Sequence, residues 1–575
     1  MGAGTAQGGA CLLISGKVRK NMEFVVFAGV LLLLFIFMIV QELIQTKNQE
    51  KLFKKYLREN YGKEPPKEYS LERFARLGSY LERHKEEKQL DDITWNDLGM
   101  DEVFRRIDRT YSAAGEEYLY YTLRNISCGR EALEHLEEVV NWLQEQENIK
   151  VRIQLLMKRL GHLGKYSLYD YLDNLDYLGE RSNRKIVLGN LLYLPFLLLL
   201  FVQPAMGTIG IVLCMLWHIM TYFREKKVIE PYIISFAYVL RLIDVCEELE
   251  KQKIPVYRRE LDELREALKS LRELRRGAYW VMAGNQGKIG GNPLDILADY
   301  LRMILHLDIF QFNRMLEKLR KKTGQVETMP LEGYCIPKLE EDTEKAFLHM
   351  KKGWHPLLSQ PVKNSIRADR GILLTGSNAS GKSTFLKMVA VNAVLAQTIH
   401  TCAAESYHAP IFQIFSSMAL RDSMENGESY YIVEIRSLKR ILDAAGERRT
   451  PVLCFVDEVL RGTNTVERIA AATQILIRLA ESGTLGFAAT HDIEMTELLK
   501  EYYDNYHFEE VIRDGDILFP YQLLPGKAST RNAIRLLQMM GYEEQIIKKA
   551  SGQAENFLKT GKWINTPAAI SEGTT

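Results

Sequence analysis

A nine-residue run that joins an apolar segment to a helical pattern constrains the fold of this 575-residue chain more than any other feature. Residues 371–376 (Gly-Ile-Leu-Leu-Thr-Gly) are typical of a short buried strand, and a helical pattern starts at Phe385. The run that connects them fits G-x-x-x-x-G-K-[ST], a pattern that has meaning only between a strand and a helix. Its members are Gly376, Ser377, Asn378, Ala379, Ser380, Gly381, Lys382, Ser383 and Thr384. We therefore expect an α/β domain in this part of the chain.

The residue types in this loop suit phosphate binding. Glycine allows backbone N–H groups to turn inward around phosphate oxygens, and the N-terminus of the following helix adds its dipole. Lys382 would reach the β- and γ-phosphates of a nucleoside triphosphate, and the Ser383 hydroxyl would bind Mg²⁺. The loop therefore predicts a nucleotide site that uses magnesium.

Two further apolar segments end in side chains that suit the same chemistry. Residues 451–456 lead into Asp457 and Glu458, about 75 residues after the loop lysine. Asp457 is placed to hold Mg²⁺ and Glu458 to polarise the attacking water. Residues 486–490 are another apolar run, and His491 follows them. Each run could be an ordinary core strand with a capped end, but three in this order favour strand ends that meet where α/β sheets bind ligands. We therefore expect catalysis by Glu458 and His491 together with the loop lysine.

These segments resemble the ATPase domain of the MutS proteins, the ABC-class ATPases of mismatch repair. The similarity rests on Asn378, on Asp457-Glu458 followed by Arg461-Gly462-Thr463, and on Thr490-His491. Residues 427–435 (Gly-Glu-Ser-Tyr-Tyr-Ile-Val-Glu-Ile) are also similar to the family's G-x-S-T-F-x-V-E-M segment.

The resemblance implies ligands, partners and further site residues. ATP is the nucleotide implied, and Ser429 of one subunit would cap the γ-phosphate of ATP bound to the other. Gln397 falls where the family has its Q-loop glutamine. A homodimer would therefore hold two ATP–Mg²⁺, and DNA that is mismatched, damaged or branched is the expected partner.

The resemblance continues upstream with departures. Residues 107–119 resemble the first helix of the family's lever domain. In the family, a mismatch-recognition domain with a Phe-x-Glu wedge would precede this helix. In this chain an apolar segment and about fifty residues rich in charge occupy that place. Mismatch recognition therefore does not follow from the resemblance, whereas nucleotide chemistry does.

Three apolar segments are typical of membrane-spanning helices. Residues 24–40 lack charged side chains, and residues 186–223 form two apolar segments separated near Gln203-Pro204. Basic residues flank this second pair at both outer ends: Arg181, Arg184, Lys185, Arg224, Lys226 and Lys227. Such flanks favour a hairpin with both ends in the cytoplasm, although two buried core helices are an alternative. We expect a multi-pass protein of the cell membrane with its N-terminus outside and its large domains in the cytoplasm.

The composition bears on three classes of function: nucleic-acid binding, disulfide-stabilised folds and zinc sites. Lys plus Arg (75) and Asp plus Glu (74) nearly cancel, so no overall basic field indicates nucleic-acid binding, although a local basic groove is compatible with this total. The seven cysteines are scattered and form no C-x-x-C pair, which favours reduced thiols over a disulfide framework or a zinc site. Leucines between Leu261 and Leu274 form one helical stripe, and the glycine-rich residues 284–293 are interpreted as a loop between helices.

Together these features predict an α/β P-loop ATPase domain, an all-α lever domain and three transmembrane helices. The expected order is a leader (1–23), an anchor (24–44), a charged helical linker (45–91), the first lever part (92–183), a transmembrane hairpin (184–224), the second lever part (225–349), the ATPase domain (350–555) and a tail (556–575). The expected function is ATP hydrolysis coupled to DNA binding. The alternatives are an ATP-gated membrane scaffold for a protein partner and an ABC-type transporter ATPase.

Overall fold

The computed structural model describes most of the chain outside its ends and several loops. The described residues are 44–60, 71–85, 89–126, 130–162, 181–252, 254–271, 303–310, 335–340, 345–377, 380–418, 430–446, 450–460, 463–513, 516–528 and 533–563, with a few single positions. The predicted anchor at 24–44 lies almost entirely outside them, and the glycine-rich loop at 284–293 lies wholly outside.

Helices make up most of the described chain, in agreement with the helical periodicity of the sequence. Their bounds are α1 Leu71–Arg83, α2 Asp92–Leu98, α3 Met100–Ile107, α4 Ala113–Arg124, α5 Arg130–Glu145, α6 Glu147–Leu160, α7 Arg184–Leu191, α8 Tyr193–Val202, α9 Pro204–Glu250, α10 Arg258–Leu271, α11 Lys382–Thr398, α12 Tyr430–Gly446, α13 Thr465–Glu481, α14 Met495–Leu498, α15 Ala533–Met539 and α16 Glu544–Thr560.

The strands lie in the last 240 residues. Their bounds are β1 Lys338–Glu340, β2 Leu348–Gly353, β3 Asn364–Ala368, β4 Gly371–Thr375, β5 Ser406–Pro410, β6 Gln413–Ser417, β7 Val452–Asp457, β8 Leu485–Ala489, β9 Tyr503–His507, β10 Val511–Arg513, β11 Asp516–Leu518 and β12 Leu524–Pro525. Strand β4 and helix α11 lie on either side of the glycine-rich loop, so the predicted strand–loop–helix unit is confirmed.

These strands form two larger sheets and a small hairpin. The six-stranded sheet has the order β12-β9-β4-β8-β7-β6, in which β9, β4, β8, β7 and β6 are parallel and β12 is antiparallel. The four-stranded sheet has the order β1-β5-β2-β3 and is mixed, since β1 and β5 are parallel and the other pairs are antiparallel. The mixed α/β class predicted from the sequence is therefore present.

Strand β4 is buried on both faces because alternate residues point to two separate core clusters. Ile372 and Leu374 join a cluster with α11, whereas Leu373 joins a cluster with α12 and α13. Helices thus cover both faces of the six-stranded sheet. This placement leaves the loop after β4 at the edge of a rigid layer.

Helix α2 covers the edge strand β6 of this sheet. Asp97 accepts hydrogen bonds from the Ser416 hydroxyl at 2.7 Å and from the Met418 N–H at 2.9 Å, and the Thr94 hydroxyl oxygen accepts one from the Ser416 N–H at 3.1 Å. An uncovered edge strand would present unpaired backbone groups. Side chains of α2 therefore satisfy an edge that would otherwise be open.

Contacts divide the chain into two compact units. One comprises residues 64–110, 114–142 and 326–575 and holds the sheets. The sequence predicts that the ATPase domain begins at residue 350, whereas the unit that contains its sheet also includes helices α1 to α4. The buried cluster that contains α11 shows why, because Leu77, Trp95 and Phe104 of these helices belong to it.

The other unit comprises residues 1–63, 111–113 and 143–325, and its described elements are helical. Its core forms around the second half of α9, where Phe236, Leu240 and Ile243 are buried with Leu268 of α10 and Phe312. Helix α9 has 47 residues and is about 70 Å long at 1.5 Å per residue.

The first half of α9 pairs with α8 as a hairpin, and the outward surface of this hairpin is apolar. Two helical segments of the described chain, Arg184–Val202 and Pro204–Glu230, are long and apolar enough to cross a membrane. Their side chains are not those of a buried core, since Phe201 is 88% exposed and Val202 78% exposed. The third segment predicted from the sequence is the anchor, so two of the three predicted spans can be described.

Candidate nucleotide-binding site

The strand order places three predicted strand ends side by side. Leu374 of β4 pairs with Ala489 of β8, and Ala489 pairs in turn with Asp457 of β7. Because these strands are parallel, their carboxyl ends lie at the same edge of the sheet. The loop after β4, the acidic pair after β7 and His491 after β8 therefore meet at this edge.

Two glycines give the loop its backbone course. Gly376 has φ 145° and Gly381 has φ 106°, a region that residues with a side chain rarely adopt. A Cβ atom at Gly376 would lie 2.5 Å from the carbonyl oxygen of Phe508, so no other residue fits there without a backbone shift. Asn378 and Ala379, between these glycines, lie outside the described residues.

Lys382 and Ser380 turn polar groups into the loop. The buried Lys382 ammonium donates hydrogen bonds to the carbonyl oxygens of Gly376 and Ser377, each at 2.9 Å. The Ser380 hydroxyl is also buried, and no described residue accepts from or donates to it. A cation and a hydroxyl buried beside a helix N-terminus fit a phosphate group, since a charged acceptor makes stronger hydrogen bonds than a carbonyl does.

Ser383 and Asp457 form the second part of the site. The Ser383 hydroxyl donates a hydrogen bond to Oδ2 of Asp457, which ends β7. Thr384 follows in the first turn of α11 with its side chain exposed. A hydroxyl and a carboxylate held together at the edge of a nucleotide loop are the oxygen ligands that Mg²⁺ prefers. The residues present therefore fit magnesium.

Glu458 and His491 form the third part. Nε2 of His491 lies 2.7 Å from Oε1 of Glu458. The backbone N–H of Glu458 donates to the carbonyl oxygen of Ala489 at 2.9 Å, which fixes Glu458 at the end of the sheet. Glu458 has φ 57°, in the left-handed region, and such strain in a non-glycine residue is found mainly at functional sites.

Glu434 of α12 holds the turn after Glu458. Its carboxylate is buried and accepts a hydrogen bond from the backbone N–H of Leu460, a second residue with positive φ (59°). The charged acceptor stabilises a turn that would otherwise relax and move the Glu458 carboxylate. The sequence carries a signal for Glu434 in its similarity to the V-E-M segment, but assigns it no role.

Arg468 and Asp492 hold the turn on the other side of His491. Arg468 donates two hydrogen bonds to the Asp492 carboxylate, at 2.9 and 2.6 Å. This hydrogen bonding, more than any other cause, raises the pKa of the Arg468 guanidinium. The N–H of Asp492 donates to the Thr490 hydroxyl at 3.0 Å. His491 thus lies between two residues that are fixed by side-chain hydrogen bonds.

Two residues near the loop carry no sequence signal. The buried Glu510 carboxylate accepts a hydrogen bond from the Ser377 hydroxyl at 3.0 Å, across 133 positions of sequence. The ring of Tyr521 lies beside the loop, where a Cβ atom at Gly381 would be 3.1 Å from Cδ1 of Tyr521. Neither belongs to a motif or a periodic pattern, because each approaches the loop from a segment that follows β9.

The structure does not bring Gln397 to this group of residues. Gln397 lies 15 positions after Lys382 on α11, about 22 Å along the helix, and is fully buried. Its carboxamide donates to the carbonyl oxygen of Phe412 at 2.8 Å and accepts from the Phe412 N–H at 2.9 Å. These bonds use Gln397 to join α11 to the start of β6, so we do not retain it as a nucleotide ligand. Ser429 lies outside the described residues.

The fold and the loop define the class: this is a P-loop nucleotide-binding fold, with the loop after a central strand of a parallel sheet. Residues 372–558 match the family described as MutS domain V. The matched region contains most of strand β4, the loop and the residues that meet at the edge of the sheet.

Three curated relatives illustrate the extent of the similarity. The DNA mismatch repair protein MutS of Thermus thermophilus is 31% identical over 242 residues, which cover 41% of this chain and 29% of that protein. The protein of the same name from Lactobacillus johnsonii is 28% identical over 285 residues, covering 46% and 33%. The one from Natronomonas pharaonis is 32% identical over 252 residues, covering 42% and 28%. The chain therefore spans about a third of the length of the curated relatives it matches.

Proposed function

We propose that this chain is a membrane-anchored ATPase of MutS type that binds ATP with Mg²⁺ and hydrolyses ATP to ADP and phosphate. One observation carries the proposal: Lys382, the Ser383–Asp457 pair and the Glu458–His491 pair lie at one edge of a parallel sheet. Each supplies a different requirement of phosphoryl transfer, namely a cation, metal ligands and a base.

Separate groups of residues would bind the phosphates, hold the metal ion and orient the attacking water. Lys382, Ser380 and the backbone N–H groups of the loop would bind the phosphates, and Ser383 with Asp457 would hold the magnesium ion, which neutralises phosphate charge when bound. Glu458 would accept a hydrogen bond from the attacking water and orient it. With its Nε2 protonated, His491 donates to Glu458 and keeps that carboxylate in place.

Two substitutions at this edge test the assignment because they separate binding from hydrolysis. Lys382→Ala removes the main cation and should abolish ATP binding in an equilibrium titration. Glu458→Gln should retain ATP binding but hydrolyse it about 100-fold or more slowly, since the base is lost. Lys500→Ala and Glu497→Gln, on an exposed surface pair, are the matched controls. Unchanged ATP affinity in Lys382→Ala would refute the loop assignment, and near-normal turnover in Glu458→Gln would remove Glu458 as the base.

The shared-site part of the proposal rests on the resemblance of residues 427–435 to the family's signature segment. Two subunits would enclose two ATP–Mg²⁺, with Ser429 of the partner subunit completing each site. Ser429→Ala and Lys382→Ala subunits, each inactive alone, should regain part of the ATPase rate when mixed, because one composite site is then intact. Absence of recovery in mixtures shown to be dimeric would contradict a shared site.

DNA is the partner that the resemblance favours. A DNA-coupled enzyme should change its ATPase rate with homoduplex, mismatched or branched DNA, whereas an ATP-gated membrane scaffold should not respond to any of them. The transporter alternative is tested in sealed vesicles, where it requires ATP-dependent uptake of solute. The full-length chain in detergent, measured with each DNA, distinguishes the first two functions directly.

The apolar hairpin supports the membrane part of the proposal. Its helices approach closely, since a Cβ atom at Gly210 of α9 would lie 2.1 Å from Cδ1 of Phe196 on α8. Small residues that allow such approach are typical of helix pairs in lipid. Exposed Arg184 and Lys227 flank the two apolar segments. We place the hairpin and the anchor at 24–44 in the cell membrane, with the sheet-containing unit in the cytoplasm.

A further inference from the structure

Two cysteines of the sheet-containing unit lie directly opposite each other. Cys335 precedes β1 and Cys402 follows α11, and they form a single antiparallel pairing. Each donates its backbone N–H to the carbonyl oxygen of the other at 2.8 Å. In such a hydrogen-bonded pair the Cα atoms are about 5.5 Å apart, within the range of about 4.4–6.8 Å that a disulfide spans. The Cα separation therefore lies within the range that a disulfide spans.

The two thiols differ in environment. Hydrogen bonding with Cys402 lowers the pKa of the half-buried Cys335. The Cys402 thiol also donates to the carbonyl oxygen of Asn392 at 3.5 Å. Burial raises the pKa of Cys402, which is fully enclosed. The thiolate is the reactive form of cysteine, so we expect Cys335 to react first with a disulfide reagent. Cys402 would react second, with the sulfur of Cys335.

Two other described cysteines lie in a different environment. Burial raises the pKa of Cys454 in β7 and of Cys246 in α9 to about 12 each, and both are free thiols. They are inert core side chains by the same physical rule that makes Cys335 reactive. Cys454 and Cys246 thus serve as internal controls when the reactivity of Cys335 is measured.

We propose that Cys335 and Cys402 are a reversible oxidation site that forms an intramolecular disulfide by exchange with a low-molecular-weight disulfide. The Cys335 thiolate attacks one sulfur of the reagent, forms a mixed disulfide and displaces one thiolate. The Cys402 thiol gives up its proton, and its sulfur attacks Sγ of Cys335 and displaces the second thiolate. Two protein thiols are oxidised, the reagent is reduced to two thiols, and the two protons from the cysteines end on those thiols.

The strand geometry favours reversal. Side chains in a paired position have Cβ atoms about 4.5–5.5 Å apart, farther than the value of about 3.8 Å that is usual in disulfides. A bond closed across this gap is strained, and strained disulfides are the readily reduced ones. On this proposal, reducing conditions would keep both thiols reduced, as the sequence predicts, and oxidation would add a second state.

The disulfide would fasten the chain entering the four-stranded sheet to the end of the helix that begins at the glycine-rich loop. Cys402 lies four positions after Thr398, the last residue of α11, and Cys335 lies three positions before Lys338, the first residue of β1. The closed loop of 67 positions restricts the unfolded chain. Oxidation should therefore raise the unfolding temperature of this unit by about 5 °C.

The test uses the reduced full-length chain in detergent, treated with oxidised glutathione, quenched in acid, alkylated and analysed by peptide mass spectrometry. The expected product is one cross-link between the peptides of Cys335 and Cys402, reversed by dithiothreitol, while Cys454 and Cys246 remain alkylated. Cys402→Ser should stop at glutathione bound to Cys335, and Cys335→Ser should give neither product.

Two results would overturn the proposal. One is wild-type protein that retains glutathione on Cys335 without a cross-link, and the other is wild-type protein in which both thiols stay fully alkylatable. Both are read from the wild-type chain, so the proposal stays testable even if a serine variant does not fold. The test measures disulfide formation and not ATP hydrolysis, so its result is independent of the proposed function.

Discussion

Helices α11 and α8 are both strongly apolar, yet they lie in opposite environments. Helix α11 is buried along nearly its whole length, and Val389 and Ala393 are fully enclosed in the core beneath the sheet. Helix α8 has no buried residue, and Leu194 and Phe201 are 54% and 88% exposed. Apolar composition alone therefore does not distinguish a buried core helix from an exposed one.

The polar side chains within the two helices make the distinction. Asn392 of α11 donates to the carbonyl oxygens of Met388 and Trp354, and Gln397 bonds the backbone of Phe412. Residues 194–202 of α8 contain no polar side chain at all. A buried amide is tolerated only where protein groups satisfy it, so such amides within an apolar helix indicate packing against protein.

A charge placed in α11 should have the largest effect. Val389→Asp would bury an unpaired carboxylate in the core, at a cost of several kcal/mol against a typical total stability of about 5–15 kcal/mol. We expect loss of the cooperative unfolding transition and of ATP binding. Val389→Ala, which removes volume without adding charge, should unfold cooperatively at a lower temperature. A folded Val389→Asp protein would show that α11 is not enclosed.

The same charge in α8 should spare folding but weaken membrane association. Leu194→Asp lies near the middle of the segment Arg184–Val202, where an aspartate costs about 2.5–3.5 kcal/mol in a membrane helix. The measurement is the fraction of the chain that remains with membranes after a carbonate wash, with Leu194→Ala as control. ATP binding should be unchanged. Equal retention of both variants would contradict insertion of the hairpin.

Replacing the buried amide of α11 should reduce stability without affecting nucleotide affinity. Gln397→Leu leaves the N–H and carbonyl groups of Phe412 without their partner, at a cost of about 1–3 kcal/mol. Chemical unfolding of the variant measures this loss, and an ATP titration should give the wild-type dissociation constant. Lys382→Ala should show the reverse pattern. A weakened ATP affinity in a stable Gln397→Leu protein would restore the role predicted from the family resemblance.

The close approach within the hairpin gives the smallest expected effect. Gly210→Ala would place a methyl group against the Phe196 ring, and the overpacking should cost about 1 kcal/mol. Thermal unfolding in detergent would measure it. In a Phe196→Ala background the Gly210→Ala substitution should cost little further stability, since the ring that causes the clash is absent. Additive losses in the cycle would mean that the two positions do not touch.

The sequence predicts the edge of the sheet well because the residues there belong to local motifs. A glycine loop must lie between β4 and α11, and Asp457 and His491 each follow an apolar run within a few positions. Residues that reach the site from far along the chain, such as Glu510 and Tyr521, carry no such signal. The docking of α2 on β6 has no sequence signal for the same reason, since Asp97 and Ser416 are 319 positions apart. Local pattern encodes elements, whereas distant partners depend on how those elements assemble.

Helix α9 continues without interruption from the apolar hairpin into the helical core of its unit. Pro231 lies in its interior, and a proline there cannot donate a backbone hydrogen bond and commonly bends a helix. A change of tilt of about 10° at Pro231 would displace Pro204, 27 positions away, by about 7 Å. In the proposed membrane setting, the bilayer would thus contact α9 on one side of Pro231, and the buried packing around Phe236 would lie on the other.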